Sequence, residues 1–250
     1  MKTLLLSILL SLPFLSYSQY SNDIYSDRPG QAIKAPTLGE KVFQLQMGYS
    51  FQKIRATRIL TNSTVLRIGI TDRIELNGLV DWKVEETRFP NDGFEYNAGI
   101  SNTEFGVKIN VLRNDKWIPA VSFQTRLLLP GESLPFQRQG LGADLLLITV
   151  NDINENISFH SNWGLKFLDR QTAPTFNYVF NLSYRYSRSI GAFSEVYGNS
   201  EDPIPNFGAG LSILANKDLK FDISGAWQGN GVNANWLLGF GISWRFDWRE

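Results

Sequence analysis

The chain has 250 residues, with 24 basic and 24 acidic side chains, one histidine and no cysteine. That balance argues against a nucleic-acid partner, and the missing thiols exclude a disulfide scaffold, thiol catalysis, a cysteine-type zinc site and a lipoprotein anchor. Aromatic residues make up 13% of the chain and glycines number 21, a composition suited to many strands.

Residues 1–18 read as an export signal. Lys2 supplies a positive start, Leu4 to Leu15 form an apolar run broken by Ser7, Ser11 and Pro13, and Ser16-Tyr17-Ser18 offers small residues to a signal peptidase, with cleavage before Gln19. The run is too short and too interrupted for a retained anchor helix. Residues 19–39 contain Pro29, Gly30, Pro36 and Gly39 and show no periodicity, so an extended N-terminal segment is expected. Two readings of it stand: a plug held inside the barrel with the help of Asp27, Arg28 and Pro29, or a disordered periplasmic tail.

From Glu40 onward the pattern becomes strict alternation, the period of strands with two unlike faces. Phe43, Leu45, Met47, Tyr49 and Phe51 oppose Gln44, Gln46, Gly48, Ser50 and Gln52 over a run of about ten residues, the length a tilted membrane strand needs. Ile74, Leu76, Val80, Trp82 and Val84 oppose Glu75, Asn77, Asp81, Lys83 and Glu85, and Phe105, Val107 and Ile109 oppose Glu104, Gly106 and Lys108. Further on, Phe159, Trp163, Leu165 and Phe167 oppose Ser158, His160, Asn162 and Lys166, and Phe176, Tyr178, Phe180 and Leu182 oppose Asn177, Asn181 and Ser183. The last row is Trp236, Leu238, Phe240, Ile242, Trp244 and Phe246. Its aromatic end resembles the final strand that barrel-assembly machinery recognises, although Asp247 to Glu250 extend past Phe246.

Short links sit at Thr71-Asp72, Arg113 to Lys116, Asn151 to Glu155, Ser187 to Ser189 and Asn216 to Asp218. They alternate with longer ones at Glu86 to Tyr96, Pro130 to Gln139, Leu168 to Pro174 and Asn199 to Pro205. Links near Arg55 and Asn230 are short exceptions on the long-loop side. This asymmetry suits periplasmic turns and outer loops. After the signal no apolar run reaches the ~18 residues of a spanning helix. Residues 40–250 are therefore predicted to form an all-β fold, a transmembrane antiparallel up-and-down β-barrel of about twelve strands in the bacterial outer membrane. A soluble sandwich would also alternate, but its outer face would carry Lys and Glu rather than glycine, serine and amides. Tyr49, Phe51, Trp82, Trp117, Tyr184, Tyr186, Trp227, Trp236 and Trp244 are expected near strand ends, as interfacial girdles.

The proposed inward face carries Arg67, Glu75, Asp81, Lys83, Glu104, Lys108, Arg126, Asp144, Lys166, Arg185, Asp222 and Arg245, with both signs in near balance. Such charges either orient a solute or pair off to stiffen a narrow lumen, and pairing is the plainer expectation for any one of them. Arg67 and Glu75 flank a tight hairpin and form the best candidate pair. His160 excludes a histidine-rich zinc site. Twelve-stranded outer-membrane phospholipases use a lipid-facing His and Ser two residues apart. Here Asn162 follows His160 on its own face, so a lumenal histidine in a polar network is the better reading. No phosphate loop and no Gly-X-Ser-X-Gly motif is present.

Asp27-Arg28-Pro29, Pro36, Gly39 and the Gln44-to-Tyr49 strand resemble a known group of outer-membrane barrels. So do Leu66 to Ile70 with Asp72 to Leu76, then Gly106-Val107-Lys108 and Leu129-Pro130-Gly131. The chain resembles the transporter family labelled "MetA-pathway of phenol degradation" over nearly all of its mature length. The resemblance implies a passive barrel for hydrophobic or aromatic compounds, with an N-terminal segment that folds into the lumen, and it supplies no catalytic residue. The expected function is a transporter or channel for small solutes, without cofactor, metal or catalysis. Its expected partners are the lipid bilayer, the barrel-assembly machinery and a small hydrophobic solute. A structural or adhesive barrel with a filled lumen is the alternative, and a lipid-modifying enzyme is the third.

Overall fold

The alternating rows require a partner for every backbone N–H and C=O at membrane depth, and closing a sheet on itself supplies one for each strand. The computed structural model describes residues 24–90, 93–114, 118–169, 171–229 and 235–248; the expected signal and Trp117 lie outside them. It forms a closed barrel of twelve strands in which each pairs with its sequence neighbours and β12 returns to β1. The strands are β1 (Val42–Ile54), β2 (Thr57–Gly69), β3 (Ile74–Arg88), β4 (Phe94–Leu112), β5 (Ala120–Leu128) and β6 (Gly142–Asp152). They continue as β7 (Ile157–Phe167), β8 (Thr175–Arg185), β9 (Ile190–Asn199), β10 (Asn206–Asn216), β11 (Leu219–Gln228) and β12 (Asn235–Asp247). All pairs are antiparallel, and the closing pair runs in unbroken register from Val42 opposite Asp247 to Lys53 opposite Trp236.

The apolar rows face outward. Phe105, Phe123, Leu211, Phe221, Ile223, Phe240 and Trp244 are all exposed, a belt that requires hydrocarbon rather than water around it. On the outside of β7 and β8, Trp163 meets the edge of Phe180 with ring centroids 5.0 Å apart. Phe240 lies in mid-strand between Tyr49 and Ile223. Phe240→Arg would set a cation in the belt, and folding in lipid vesicles is expected to weaken by about 2–4 kcal/mol, measured by urea titration.

Two expectations change. The link after β3 spans only 89–93, because β3 and β4 run on as paired strands through Thr87 opposite Glu95 and Arg88 opposite Phe94. Glu86, Thr87 and Arg88 look like loop because a strand that rises above the lipid no longer needs apolar side chains. In β4 the register slips at Asp81/Trp82, where Asp81 faces Asn102 and Trp82 faces Ile100. Ser101 is the extra residue of this bulge, so Ile100 points outward like Phe105 although their numbers differ in parity. The girdle is also only partial. Tyr184, Tyr186, Trp227, Trp236 and Trp244 do lie toward strand ends, whereas Tyr49 and Trp82 share a row well inside β1 and β3.

Candidate functional site: a lumen in two halves

The half of the lumen nearer the short turns is occupied by residues 24–41. The backbone N–H of Ile24 donates to Lys217 O at 2.8 Å, in the turn between β10 and β11. The segment then crosses the barrel wall by wall. Lys220 Nζ donates to Ser26 Oγ (3.0 Å) and Arg28 O (2.7 Å). The Gln31 N–H donates to both carboxylate oxygens of Glu195 at 3.0 Å, and Asn162 both accepts from Ile33 N (2.7 Å) and donates to Ile33 O (2.9 Å). Ser122 Oγ and Asn110 Nδ2 donate to Ala35 O, while Ala35 packs on inward-facing Ala120, Ile148 and Val150. Thr37 Oγ1 donates to Asp72 O (2.8 Å) before the chain enters β1. These contacts place residues 24–37 against the inner wall of the barrel.

Arg28 sits in a slot made for it. Its guanidinium pairs with Asp222 at 3.2 Å and donates to Phe240 O at 3.0 Å. Gly48 and Gly241 face each other across β1 and β12, and a Cβ on either would overlap the guanidinium. Gly241→Val is therefore expected to leave the barrel folded and to dislodge the segment. Trypsin should then cut at Lys34 in the membrane-embedded protein, which the unaltered chain should resist.

Around the segment's middle lies the densest charge cluster. Arg67 and Glu75, both 1% exposed, meet at 2.7 Å; Lys108 lies 3.5 Å from Glu75, and Asp27 is 3.3 Å from Arg67. Glu75 also accepts from Leu38 N at 3.1 Å, and Lys108 donates to Lys34 O at 3.2 Å. The cluster ties β2, β3 and β4 to the segment, with the charges neutralising each other as burial demands. Burial alone would raise the Asp27 carboxyl, but Arg67, Lys108 and the Lys34 N–H outweigh it and hold the pKa at about 2. Its contribution is thus present above the ordinary carboxylate value and lost only as pH falls toward about 2.

The half nearer the long loops is open. Asn102 Nδ2 donates to Glu104 (2.9 Å) and Asp81 (3.3 Å), and Arg126 pairs with Glu104 at 3.3 Å. The register sets Asp144 between Arg126 and Lys166. The β5–β6 loop folds over this wall. Ser133 exchanges hydrogen bonds with Ile100 through both backbone N–H groups, each 2.9 Å. Arg138 pairs with Glu132 at 2.9 Å and also reaches Asn102 Oδ1. Lys83 Nζ lies 4.8 Å over the Phe136 ring and 3.2 Å from Glu85. Between this loop and the walls lies a chamber of about 600 Å³ lined by Asp81, Lys83, Asn102, Arg138, Lys166 and Asp169, among others.

The remaining singled-out residues fall at the edges of these halves. Arg245 is buried and meets Asp218 at 2.7 Å near the short-turn end, and Arg185 is exposed at the end of β8. His160 is buried, with Nε2 3.0 Å from Ser158 Oγ; Nδ1 has no hydrogen-bond partner among the described residues. The Ser158–His160 pair faces the lumen beside the segment, not the lipid. The sequence reading missed Lys220, Glu195 and Asn110, although inward parity on β11, β9 and β4 would have found them. It also missed Glu132 and Arg138, for which no periodic signal exists in a loop. The run Leu145 to Ile148 was a further clue, since a strand apolar on both faces needs an inner cover.

An apolar outer belt around a polar, charged interior defines a membrane-spanning β-barrel of the outer-membrane type. The chain belongs to the family described as "Putative MetA-pathway of phenol degradation", whose sequence model matches residues 26–246. Among solved structures it is similar to an outer membrane channel from Pseudomonas putida F1, at 12% identity and a TM-score of 0.67, covering 88% of this chain and 99% of that one. The KdgM porin in complex with disordered oligogalacturonate matches at 10% identity and 0.59, covering 81% and 99%. The NanC porin matches at 11% and 0.55, covering 80% and 98%. At such identities the likeness is one of fold. No curated protein matches the chain.

Proposed function

We propose that the protein is an outer-membrane channel for the passive passage of small solutes, closed at its short-turn end by residues 24–41. One observation carries this reading: the segment is held by side chains and single backbone contacts, not by strand pairing, beneath an open chamber. A closure of that kind is removable without unzipping the barrel. In this reading the signal is cleaved before Gln19, the new N-terminus lies in the periplasm with the short turns, and the aromatic row of β12 is what the barrel-assembly machinery receives. Asp27, Arg28 and Pro29 hold the closure. The family description supports phenol-like aromatic compounds as the first solutes to try. The reading needs no cofactor, energy source or catalytic group.

Passage through purified protein in liposomes is the test. Solute entry should follow the gradient in either direction and should not change when the membrane potential is collapsed. Flux that requires an imposed potential would contradict it. One observation favours a structural barrel instead: the inner-wall residues Gln44, Gln46 and Ser243 have at most 1% exposure, so the lower lumen is filled. That reading holds if the lumen stays closed after the segment is removed.

A further inference from the structure

The chamber beneath the β5–β6 loop has a chemistry of its own. We infer that it is a binding site for small solutes that carry a positive and a negative charge on one molecule. The inference rests on the channel reading for its role in passage, but not for the binding itself.

Three elements bring charge to the same space. From β3 come Asp81 and Lys83, from β7 and the link after it come Lys166 and Asp169, and from the β5–β6 loop comes Arg138. β3 and the end of β7 with its link thus each bring one cation and one carboxylate, and Leu168 is the one apolar residue among the described lining. An uncharged aromatic molecule would strip water from these groups and return nothing to them, which is costly, so phenol-like solutes would pass this chamber without being held in it. A carboxylate placed toward Arg138 and Lys166 with an ammonium toward Asp81 would replace that water with charge-assisted hydrogen bonds.

Asp81 Oδ1 and Arg138 Nη1 have no hydrogen-bond partner among the described residues, and both are covered from solvent. Asp81 and Arg138 therefore meet a solute with the parts of their side chains that line the chamber. Asp81 already accepts from Asn102, and Arg138 is already fixed by Glu132 and Asn102, so both heads are positioned before a solute arrives. Preorganised polar groups lose little on binding. The volume of about 600 Å³ holds a molecule of amino-acid size with room for water.

The experiment uses four molecules on one carbon skeleton: β-alanine, propionate, propylamine and propanol. Binding to the purified full chain is measured by saturation-transfer NMR, and entry into liposomes is measured for the full chain and for a chain lacking residues 24–38. β-Alanine should bind several-fold more tightly than propionate or propylamine, and propanol should bind least. Asp81→Asn should bring β-alanine down to the level of propionate. Arg138→Gln should bring it down to the level of propylamine, and Lys166→Gln, which leaves the Glu132 pair intact, should weaken it in the same direction. Equal binding of all four, or preference for propanol, overturns the inference. Equal flux of all four would leave the channel reading standing while removing this site from it. Absence of flux in both chains would remove the channel reading, and the binding order would still decide the site.

Discussion

A chain lacking residues 24–38 is expected to fold into the same barrel and to conduct where the full chain is nearly closed. The strands pair with each other and not with the segment, so its loss removes no ladder hydrogen bond. What it does remove is the cover over the inner walls of β1, β4, β5, β7, β9, β11 and β12. Gln44, Gln46, Ser122 and Ser243 then meet water. Twelve strands enclose more space than the eight that side chains alone fill, yet less than the sixteen or more of a wide aqueous porin. The opened path should therefore pass ions and molecules of amino-acid size and exclude oligosaccharides. Planar-bilayer recording of the two chains side by side would show this as a step from rare, small openings to a steady open level. An unchanged closed level in the shortened chain would assign the barrier to the barrel's own side chains.

Glu75→Ala is expected to be the most damaging single substitution in the lumen. One carboxylate there serves Arg67 at 2.7 Å, Lys108 at 3.5 Å and the Leu38 N–H at 3.1 Å, in a place where Arg67 and Lys108 are almost wholly buried. Removing it leaves two buried cations with Asp27 as their remaining acidic neighbour, and breaking such a pair costs about 3–5 kcal/mol. Urea unfolding of the protein in lipid vesicles would measure the loss. The segment should also loosen, because Leu38 loses the acceptor that fixes its end. Glu75→Gln keeps the shape and one acceptor oxygen, so it should cost less on both counts. Equal stability of Glu75→Ala and the parent would mean that water, not Glu75, compensates these cations.

The barrel was legible because lipid and lumen impose opposite demands on alternate residues, and that demand is written into every strand. The row from Trp236 to Phe246 needs no tertiary knowledge to be read. Strand boundaries were legible only where lipid contact ends with the strand. At β3 and β4 the strands outlast the lipid, so Glu86 to Arg88 carried no apolar signal, and the Ser101 bulge reset the parity beyond it. Arg67 and Glu75 could be named as partners because a hairpin brings them together locally. The partners of Arg28 could not, since Asp222 and Gly241 lie some two hundred positions along the chain and only closure of the barrel places them nearby. Gly48 stood in the sequence as one more small inward residue; the use of Gly48 and Gly241 as a slot for a guanidinium depends on what lies inside. The chamber was legible as a list of inward charges but not as a cavity, because Glu132 and Arg138 enter from a loop that has no period to follow.

The most direct measurement is a tether between segment and wall. The chain has no cysteine, so Gln31→Cys with Glu195→Cys gives a single reactive pair, bridged by a short reducible linker at the point where the Gln31 N–H meets the Glu195 carboxylate. If the segment closes the path, the tethered protein in liposomes should pass no solute, and reduction of the linker should restore the flux of the untethered variant. Equal flux before and after reduction, with the bridge shown by mass to be complete, would mean that solutes pass without the segment moving, and the N-terminal closure would be wrong.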